Sequence, residues 1–411
     1  MRIAIVGSGI AGLTASWTLG KSHDVTIIEK QTRHGMAAHS LEIGSVPVDV
    51  PLRVFYAGYY PELLELYDEA GIETEAVDYS TSFAHVGGDT YFRYKNIHVG
   101  GSAIPVPRST GPEARRILAD MARFLARDRN RVQPDETVGE FFNRTDYSTE
   151  FVDGFLLPAF AGIATVPYDR VRDYPGHVVA DYMTGGILLQ SVRRTVRGSR
   201  FVVERLTSRA VDHQRGCEVT QIHPSNGASG GAVDVVDSSG RRQAFDHVIV
   251  ATQANQALRF VDHDGPEASA LNHFGYDTSR VVTHTDPRLA PRDRSSWSPV
   301  NFLVSPDHDA PMASIWMNAV VPGLTTERPV FQTWNPLVEP DPTTILGDVT
   351  LQRPAVSTTS EAGLAALDRL HDTPNRRIWF VGSYAAAGVP LLESATRSAR
   401  SVARRINLQG V

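Results

Sequence analysis

Short, mostly apolar runs mark the amino end of the chain. Ile3–Val6 is followed by an Ala- and Leu-rich stretch and then by a second run, Val25–Ile28. Runs with so little polar alternation are typical of strands buried on both faces, and the stretch between them has the length of one helix. The amino end therefore predicts a strand–helix–strand unit.

Two later runs of the same kind lie far away in the sequence. Val248–Thr252 is in the middle of the chain, and Ile378–Gly382 is near its carboxyl end. Because each run has the pattern of a doubly buried strand, we expect all of them in one parallel sheet that is covered by helices. The long segments between the runs must then build a second domain.

The predicted class is therefore α/β, with a Rossmann-like parallel-sheet domain and an inserted α+β domain that holds the substrate. The Rossmann-like domain is discontinuous and is predicted to comprise residues 1–83, 200–270 and 361–411. The inserted domain is predicted to comprise residues 84–199 and 271–360.

Local patterns predict further elements inside these segments. Apolar residues at helical spacing, with capping residues at the ends, predict helices over 61–70, 113–129, 200–211 and 391–406. Alternating runs with turn residues between them predict strand-rich passages over 81–94, 218–245 and 275–335, with turns at 87–88, 226–227 and 239–240. Residues 336–360 carry several prolines and are predicted to form a long connection.

The turn after the first run has the sequence Gly7-Ser8-Gly9-Ile10-Ala11-Gly12, and the second run ends at Glu29. Strand, glycine turn, helix, strand and acid in this order form the dinucleotide-binding fingerprint. Gly7 permits the tight turn, Gly9 lets the backbone approach a pyrophosphate, and Gly12 lets the helix pack on the strand. The helix start attracts phosphate, and Glu29 can accept hydrogen bonds from a ribose. The sequence therefore predicts a bound dinucleotide.

Composition narrows the class of protein. The chain has 411 residues, of which 42% are hydrophobic and 21% charged, as in folded soluble domains. The formal net charge of −6 argues against nucleic acid as the main partner. The single cysteine, Cys217, excludes an internal disulfide framework, and no metal site is predicted. Because the first strand begins at Arg2 and no run is long enough to span a bilayer, we expect a cytoplasmic protein. Its expected partner is a small-molecule substrate.

Further motifs follow the fingerprint in a fixed order. They are Gly35–Ser40, Val48–Phe55, Tyr60–Leu63, Phe245–Thr252, Val282–Asp286, Trp316–Asn318, Asn335-Pro336, Trp379–Tyr384 and Gly388. In this order they resemble the FAD-dependent amine oxidase and phytoene desaturase superfamily, and most closely its branch of predicted NAD/FAD-binding proteins. The likeness extends over nearly the whole chain and implies an FAD-binding domain of the GR2 type.

The resemblance implies FAD rather than NAD, because Gly382-Ser383 matches a motif that closes over the pyrophosphate and the ribityl chain. It implies that the start of the last helix, near Leu391, points at the C2 carbonyl of the flavin and stabilises negative charge there. We expect non-covalent binding. The implied cofactor-binding residues, with those of the fingerprint, are Gly7, Gly9, Ile10, Ala11, Gly12, Glu29, Lys30, Ala38, His39, Ser40, Pro51, Leu52, Arg53, Val219, Thr252, Gly382, Ser383, Val389, Pro390 and Leu391.

The resemblance also suggests which residues face the substrate. Candidate wall residues are His39, Arg53, Tyr56, Tyr59, Tyr60, Trp316 and Tyr384, and of these Arg53, Tyr56, Trp316 and Tyr384 are the candidate catalytic residues. Arg53 can bind a substrate carboxylate or the N1–C2 edge of the flavin, or it can pair with Asp49. The chain departs from the usual pattern of the branch at Pro51–Arg53 and at Gly388–Glu393, which are the segments expected near the substrate.

The predicted function is an FAD-dependent oxidoreductase that dehydrogenates a C–C or C–N bond of a small or lipid-like metabolite by hydride transfer to flavin N5. Amine oxidases of the superfamily often hold a lysine near N5, but the matching region 275–335 contains none; Lys21, Lys30 and Lys95 are the only lysines. This favours desaturation. Amine oxidation, a redox-neutral isomerase or cyclase, and a non-catalytic flavin-binding protein stay open as alternatives.

Overall fold

The structure is a computed structural model that describes residues 1–126, 131–224 and 232–409. The turn predicted at 226–227 and the end of the helix predicted at 127–129 lie outside these ranges. The strands are β1 (Arg2–Val6), β2 (Asp24–Glu29), β3 (Leu41–Ile43), β4 (Val46–Val48), β5 (Thr74–Ala76), β6 (Thr81–His85), β7 (Thr90–Val99), β8 (Ser102–Pro107), β9 (Arg193–Thr195), β10 (Asp212–Arg215), β11 (Val219–Pro224), β12 (Val233–Asp237), β13 (Arg242–Phe245), β14 (His247–Val250), β15 (Tyr276–His284), β16 (Val300–Val304), β17 (Met312–Trp316), β18 (Phe331–Trp334), β19 (Ile345–Pro354) and β20 (Ile378–Phe380).

The helices are α1 (Ile10–Leu19), α2 (Pro61–Glu69), α3 (Pro112–Ala126), α4 (Val138–Asn143), α5 (Thr149–Phe151), α6 (Leu157–Ala164), α7 (Tyr168–Arg172), α8 (Gly176–Tyr182), α9 (Gly198–Thr207), α10 (Ala254–Ala257), α11 (Pro266–Leu271), α12 (Met317–Val320), α13 (Thr358–His371) and α14 (Leu392–Gln409). Two π-helical segments, Val152–Leu156 and Met183–Ile187, continue α5 and α8. Within the described ranges, no helix has both the length and the apolar composition that a membrane crossing requires.

A parallel sheet with the strand order β10-β2-β1-β14-β20 forms the first half of the fold. Ile3 and Ile5 on one face of β1 pack into the core that contains α1 and α14. Ala4 and Val6 on the other face pack into a second core with β12, β13 and α13. Because both of its faces are covered, β1 carries no polar alternation, whereas the edge strand β10 is polar. The predicted α/β class is confirmed.

The glycine turn between β1 and α1 has the geometry that its sequence predicts. Gly7 has φ +100°, a backbone conformation that L side chains rarely adopt. A Cβ atom added at Gly12 would lie 2.1 Å from the carbonyl oxygen of Gly7. The first turn of α1 therefore packs on the turn more closely than any side chain allows.

The second half of the fold is a mixed sheet with the order β19-β15-β18-β17-β16-β6-β7-β8. Its neighbours are antiparallel except for β16 and β6, which run parallel. The hairpin predicted at 81–94 is the β6–β7 pair. The domain boundary predicted at residue 83 falls inside β6, so this strand belongs to the mixed sheet as a whole.

Two local predictions were wrong. Residues 345–354, predicted as part of a long connection, form the edge strand β19, whose residues alternate between partly buried and exposed. The prolines that suggested a connection lie mostly before the strand, and Pro354 is at its end. The helix predicted over 200–211 is present as α9 but ends at Thr207, and residues 212–215, for which no element was predicted, form β10 at the edge of the parallel sheet.

We expect Gly12→Ala to destabilise the protein. The added Cβ must move α1 away from Gly7, and overpacking of this kind costs about 1–3 kcal/mol of unfolding free energy. Gly101→Ala is the matched control, because a Cβ at Gly101 meets no atom within 4 Å. Denaturant unfolding measures both variants, and equal stabilities would contradict the close packing of α1.

Two buried histidines act as hydrogen-bond acceptors around β20. Nε2 of His371 accepts the backbone N–H of Phe380 at 3.2 Å, and Nδ1 of His247 accepts the indole N–H of Trp379 at 3.2 Å. An acceptor nitrogen must be unprotonated. Burial lowers the pKa of His371 to about 3 and the pKa of His247 to about 4.

These pKa values predict acid destabilisation. Below the ordinary pKa of 6.5 the unfolded chain binds protons that the folded protein does not, so stability rises with pH from about 4 to 6.5 and is lost as the pH falls. We expect a slope of up to about 2–3 kcal/mol per pH unit when both histidines contribute. Between pH 5 and 7, the unfolding free energy of His371→Gln should change less steeply with pH than that of the wild type. His263 is exposed, so His263→Gln should keep the wild-type dependence on pH. An unchanged dependence in His371→Gln would show that His371 is not a source of the acid destabilisation.

Candidate functional site

A cavity of about 460 Å³ lies between the glycine turn and the mixed sheet. This volume is within the range of small-molecule sites. At one end the lining includes Gly9, Ile10 and Ala11, and at the other it includes Phe83 and Phe302. The cavity is thus walled by both halves of the fold.

The end of the cavity at α1 is suited to an anion. Gly9 precedes the helix, and the helix start has neither a side-chain cap nor an acidic residue in its first turn. A Cβ at Gly9 would meet no atom within 4 Å, so open space lies next to the backbone there. Free N–H groups and the positive end of the helix dipole therefore face this space.

Glu29 is held against the glycine turn. Its carboxylate is buried and accepts hydrogen bonds from the N–H and the hydroxyl of Ser8 and from the N–H of Gln31 at 2.9 Å. The Ser8 hydroxyl in turn accepts the N–H of Gly35 at 2.8 Å. Lys30 is exposed and forms an ion pair with Glu218 at 2.6 Å. The acid predicted to bind a ribose therefore lies beside the open space at Gly9.

A buried glutamine fastens the segment that follows β4. The side-chain amide of Gln332 donates to the carbonyl oxygen of Asp49 at 2.6 Å and accepts the N–H of Leu52 at 2.8 Å. Gln332 is completely buried on β18. Through these two bonds the mixed sheet positions Pro51, Leu52 and Arg53, all of which line the cavity.

Arg53 is connected to Asp49 through Ser199. Its guanidinium donates to the Ser199 hydroxyl and to the Pro51 carbonyl, each at 3.2 Å, and the Asp49 carboxylate accepts the Ser199 N–H at 2.9 Å. Burial lowers the pKa of Arg53, and the charge of Asp49 opposes this shift. Burial and the charge of Arg53 lower the pKa of the neighbouring His39, which favours a neutral imidazole.

Tyrosines form one wall of the cavity. The rings of Tyr56, Tyr59, Tyr60 and Tyr182 pack with centroid distances of 4.7–6.4 Å, mostly edge to face. The hydroxyl of Tyr56 donates to the Tyr182 carbonyl at 3.2 Å, and that of Tyr59 accepts the N–H of Val389 at 2.7 Å. Burial raises the pKa of all of these phenols. They therefore stay protonated near neutral pH and are not general bases.

The segment before α14 closes the cavity on the third side. Gly382, Ser383, Pro390 and Leu391 line it, and α14 begins at the next residue. The N–H of Leu391, which the sequence predicts to face a flavin oxygen, donates to the Val389 carbonyl at 2.7 Å.

Tyr384 and Trp316, two of the candidate catalytic residues, occupy different environments. Tyr384 lines the cavity, its buried hydroxyl has no hydrogen-bond partner among the described residues, and burial raises its pKa. Trp316 does not line the cavity; its ring lies edge to face against Trp297 at 5.7 Å. Of this pair, the structure brings only Tyr384 to the cavity.

The predicted site residues divide into those that line the cavity and those that do not. Those that line the cavity are Gly9, Ile10, Ala11, His39, Pro51, Leu52, Arg53, Tyr56, Tyr60, Thr252, Gly382, Ser383, Tyr384, Pro390 and Leu391. Those that do not are Gly7, Gly12, Glu29, Lys30, Ala38, Ser40, Tyr59, Val219, Trp316 and Val389. Within the second group, Gly7 and Gly12 shape the turn, and Ser40 and Val219 are buried nearby in the fold.

The sequence analysis missed several lining residues, namely Tyr79, Tyr94, Phe155, Tyr182, Trp334 and Arg353. Arg353 had a detectable signal, because Val349, Leu351 and Arg353 alternate along one face of β19 and both Leu351 and Arg353 line the cavity. That alternation was overlooked because the segment was predicted as a connection. Tyr94 lies on the predicted hairpin, whose packing against the cavity the sequence does not reveal, and the other residues come from elements whose partners are distant in sequence.

Comparison with known proteins identifies structures that share this fold. Residues 5–70 match the family described as NAD(P)-binding Rossmann-like domain. No curated protein matches the sequence. Among solved structures, the chain is similar to a CLA-producing fatty acid isomerase from P. acnes, with 16% identity over 98% of each chain and a TM-score of 0.69.

Two further structures show the same similarity. Putrescine oxidase bound to putrescine has 14% identity over 99% of each chain and a TM-score of 0.69. An oxidoreductase from Methanosarcina mazei has 14% identity over 98% of this chain and 100% of that chain, with a TM-score of 0.68. The fold that the sequence motifs implied is thereby confirmed: residues 5–70 match a Rossmann-like domain, and the whole chain shares the fold of these solved structures.

Proposed function

We propose that the chain binds FAD non-covalently and dehydrogenates a C–C bond of a small, largely apolar metabolite. The observation that carries the proposal is one continuous cavity that joins the open helix start at Gly9 to an aromatic chamber under the mixed sheet. Residues 1–83, 200–270 and 361–411 would hold the cofactor, and residues 84–199 and 271–360 the substrate.

The residues at the α1 end fit a dinucleotide. The Gly12–Gly7 contact leaves no room for side chains, the helix start is free of acids, and Glu29 lies beside it with a carboxylate that can accept ribose hydroxyls. Pro51, Leu52 and the start of α14 would border the flavin ring. When bound there, FAD supplies the hydride acceptor.

The chain's own residues position the substrate and exclude water. Tyr56, Tyr60 and Tyr182 form a closely packed wall of phenols that remain neutral. Arg53 presents a positive charge next to the segment that would border the flavin, where it favours negative charge as the ring is reduced. No nucleophilic side chain is needed for dehydrogenation, and none of the described lining residues is Cys or Lys.

The cavity is poorly suited to an amine. An ammonium group requires an acidic or strongly hydrogen-bonding partner when it is buried. Among the described lining residues there is no Asp or Glu, whereas Arg53 and Arg353 are both present. Lys95, the one lysine in the inserted segments, is exposed. These charges favour the oxidation of a neutral or anionic substrate over amine oxidation.

Redox-neutral isomerisation is the second candidate, and the similarity to the fatty acid isomerase favours it. Dehydrogenation and isomerisation can be distinguished by mixing the substrate with the FAD-loaded protein in the absence of oxygen. An oxidoreductase bleaches the flavin absorbance in a single turnover, whereas a redox-neutral enzyme leaves it unchanged and converts substrate only after chemical reduction.

Gly9→Val tests the cofactor site. The open space at Gly9 lets the variant fold, but the side chain prevents close approach of a diphosphate, so we expect FAD affinity to fall by at least about tenfold. Titration of the FAD-free protein with FAD, followed by flavin fluorescence, measures the affinity. Gly101→Val should bind FAD like the wild type. If the wild type takes up no FAD, or if Gly9→Val binds it equally well, the proposed site is wrong.

A mixed panel of acids and amines tests the reaction. The described lining of the cavity includes two arginines and no Asp or Glu. We therefore expect some carboxylic acids of the panel to bleach the flavin in the absence of oxygen, and we expect no bleaching with aliphatic monoamines or diamines. Stopped-flow absorbance gives the rate of bleaching for each compound. Bleaching by an amine alone would restore the amine oxidase alternative.

A further inference from the structure

One cation in the cavity lacks an acidic partner among the described residues. Arg353 is at the end of β19, and its guanidinium lies 5.4 Å from the centre of the Trp334 ring. The neighbours that act on its charge are Tyr60, Tyr174, Tyr182 and the guanidinium of Arg53, and burial lowers its pKa. Among the described residues, no carboxylate oxygen lies within 4.0 Å of its nitrogen atoms.

Two arginines of this chain with little-exposed side chains are paired with carboxylates. Arg194, with a side chain that is 6% exposed, contacts Glu75 at 2.7 Å. Arg376, with a side chain that is 9% exposed, contacts Glu267 at 2.7 Å. Removing a guanidinium from water without an anionic partner is costly. Arg353 is partly buried and lines the cavity, and among the described residues no carboxylate plays this part for it.

The charges around the cavity leave a surplus of one positive charge. Asp49 is joined to Arg53 through Ser199 and offsets its charge. Arg353 has no such counterpart, and its neighbour Arg53 adds repulsion. A ligand with one negative charge placed at Arg353 would offset the charge of this arginine.

The chamber next to Arg353 is apolar and aromatic. The Phe83 ring packs against Phe155 at 5.2 Å and against Phe302 at 5.1 Å, and all three residues line the cavity. Phe155 and Met183 belong to the two π-helical segments, a rare conformation that is frequent at functional sites. A ligand that fits has an apolar body as well as its charged end.

We propose that Arg353 binds the carboxylate of the substrate, and that the substrate is a monocarboxylate whose apolar body lies along Phe83, Phe155 and Phe302. The planar guanidinium can donate two parallel hydrogen bonds to a carboxylate, which replace the water lost on burial. The inference rests on the proposed function, because it treats the chamber beside the expected flavin position as the substrate site.

Pairs of acids and their uncharged amides test this inference. Hexanoate, decanoate and phenylbutanoate are each compared with the corresponding amide by isothermal titration calorimetry on the FAD-loaded protein. We expect at least one acid to bind about tenfold or more tightly than its amide, as for a charge-assisted hydrogen-bonded pair.

Two variants assign the preference to Arg353. In Arg353→Met we expect the acid to bind no better than the amide, while the affinity for the amide stays within about threefold of the wild type. Arg353→Lys keeps the positive charge but cannot donate two parallel hydrogen bonds, so part of the preference for the acid over the amide should remain. Exposed Arg292→Met is the matched control and should keep the wild-type preference in full.

Three outcomes would overturn the inference. The wild type binds no acid more tightly than its amide; Arg353→Met retains the preference; or Arg353→Met loses FAD while keeping its affinity for the acid, which would make Arg353 a cofactor ligand. Titration of FAD-free protein separates this result from the proposed function. If the wild type takes up no FAD yet still prefers the acid through Arg353, the proposed function fails and the carboxylate site stands.

Discussion

The approach of Gly12 to the Gly7 carbonyl is the contact on which the arrangement of the site depends. Because nothing larger than hydrogen fits between them, α1 lies directly on the turn after β1, with its free N–H groups facing the cavity. The opposite side of α1 packs against α14, whose first residues border the same cavity. One backbone contact thus sets the position of two helix starts that face a common space.

The source of positive charge differs along the cavity. At the α1 end, positive character comes from backbone N–H groups, which suit a diphosphate without any side-chain cation. Farther along, Arg53 is balanced by Asp49, whereas Arg353 is not balanced. Because an unbalanced buried cation costs free energy in the empty protein, such a residue is best explained by a ligand that supplies the opposite charge.

The sequence predicted the half of the site that is local and only part of the other half. The fingerprint from Gly7 to Glu29 lies within one strand–helix–strand unit, so spacing alone identified it, and the doubly buried strands at Val248 and Ile378 revealed the sheet. Tyr182 reaches the cavity from the end of α8, and Arg353 reaches it from an edge strand whose partner is distant in sequence. Their placement depends on sheet register and packing, which residue patterns do not encode.

Gln332 shows why the two halves behave as one site. Its amide group satisfies both a carbonyl at Asp49 and an N–H at Leu52, and a buried amide that loses either bond leaves a polar group unpaired. Since Gln332 and Arg353's neighbour Trp334 both lie on β18, a shift of this strand would displace the segment expected to border the flavin as well. The mixed-sheet side of the cavity is therefore mechanically connected to the segment from Asp49 to Leu52, and ligands bound on the two sides must be compatible with one position of β18.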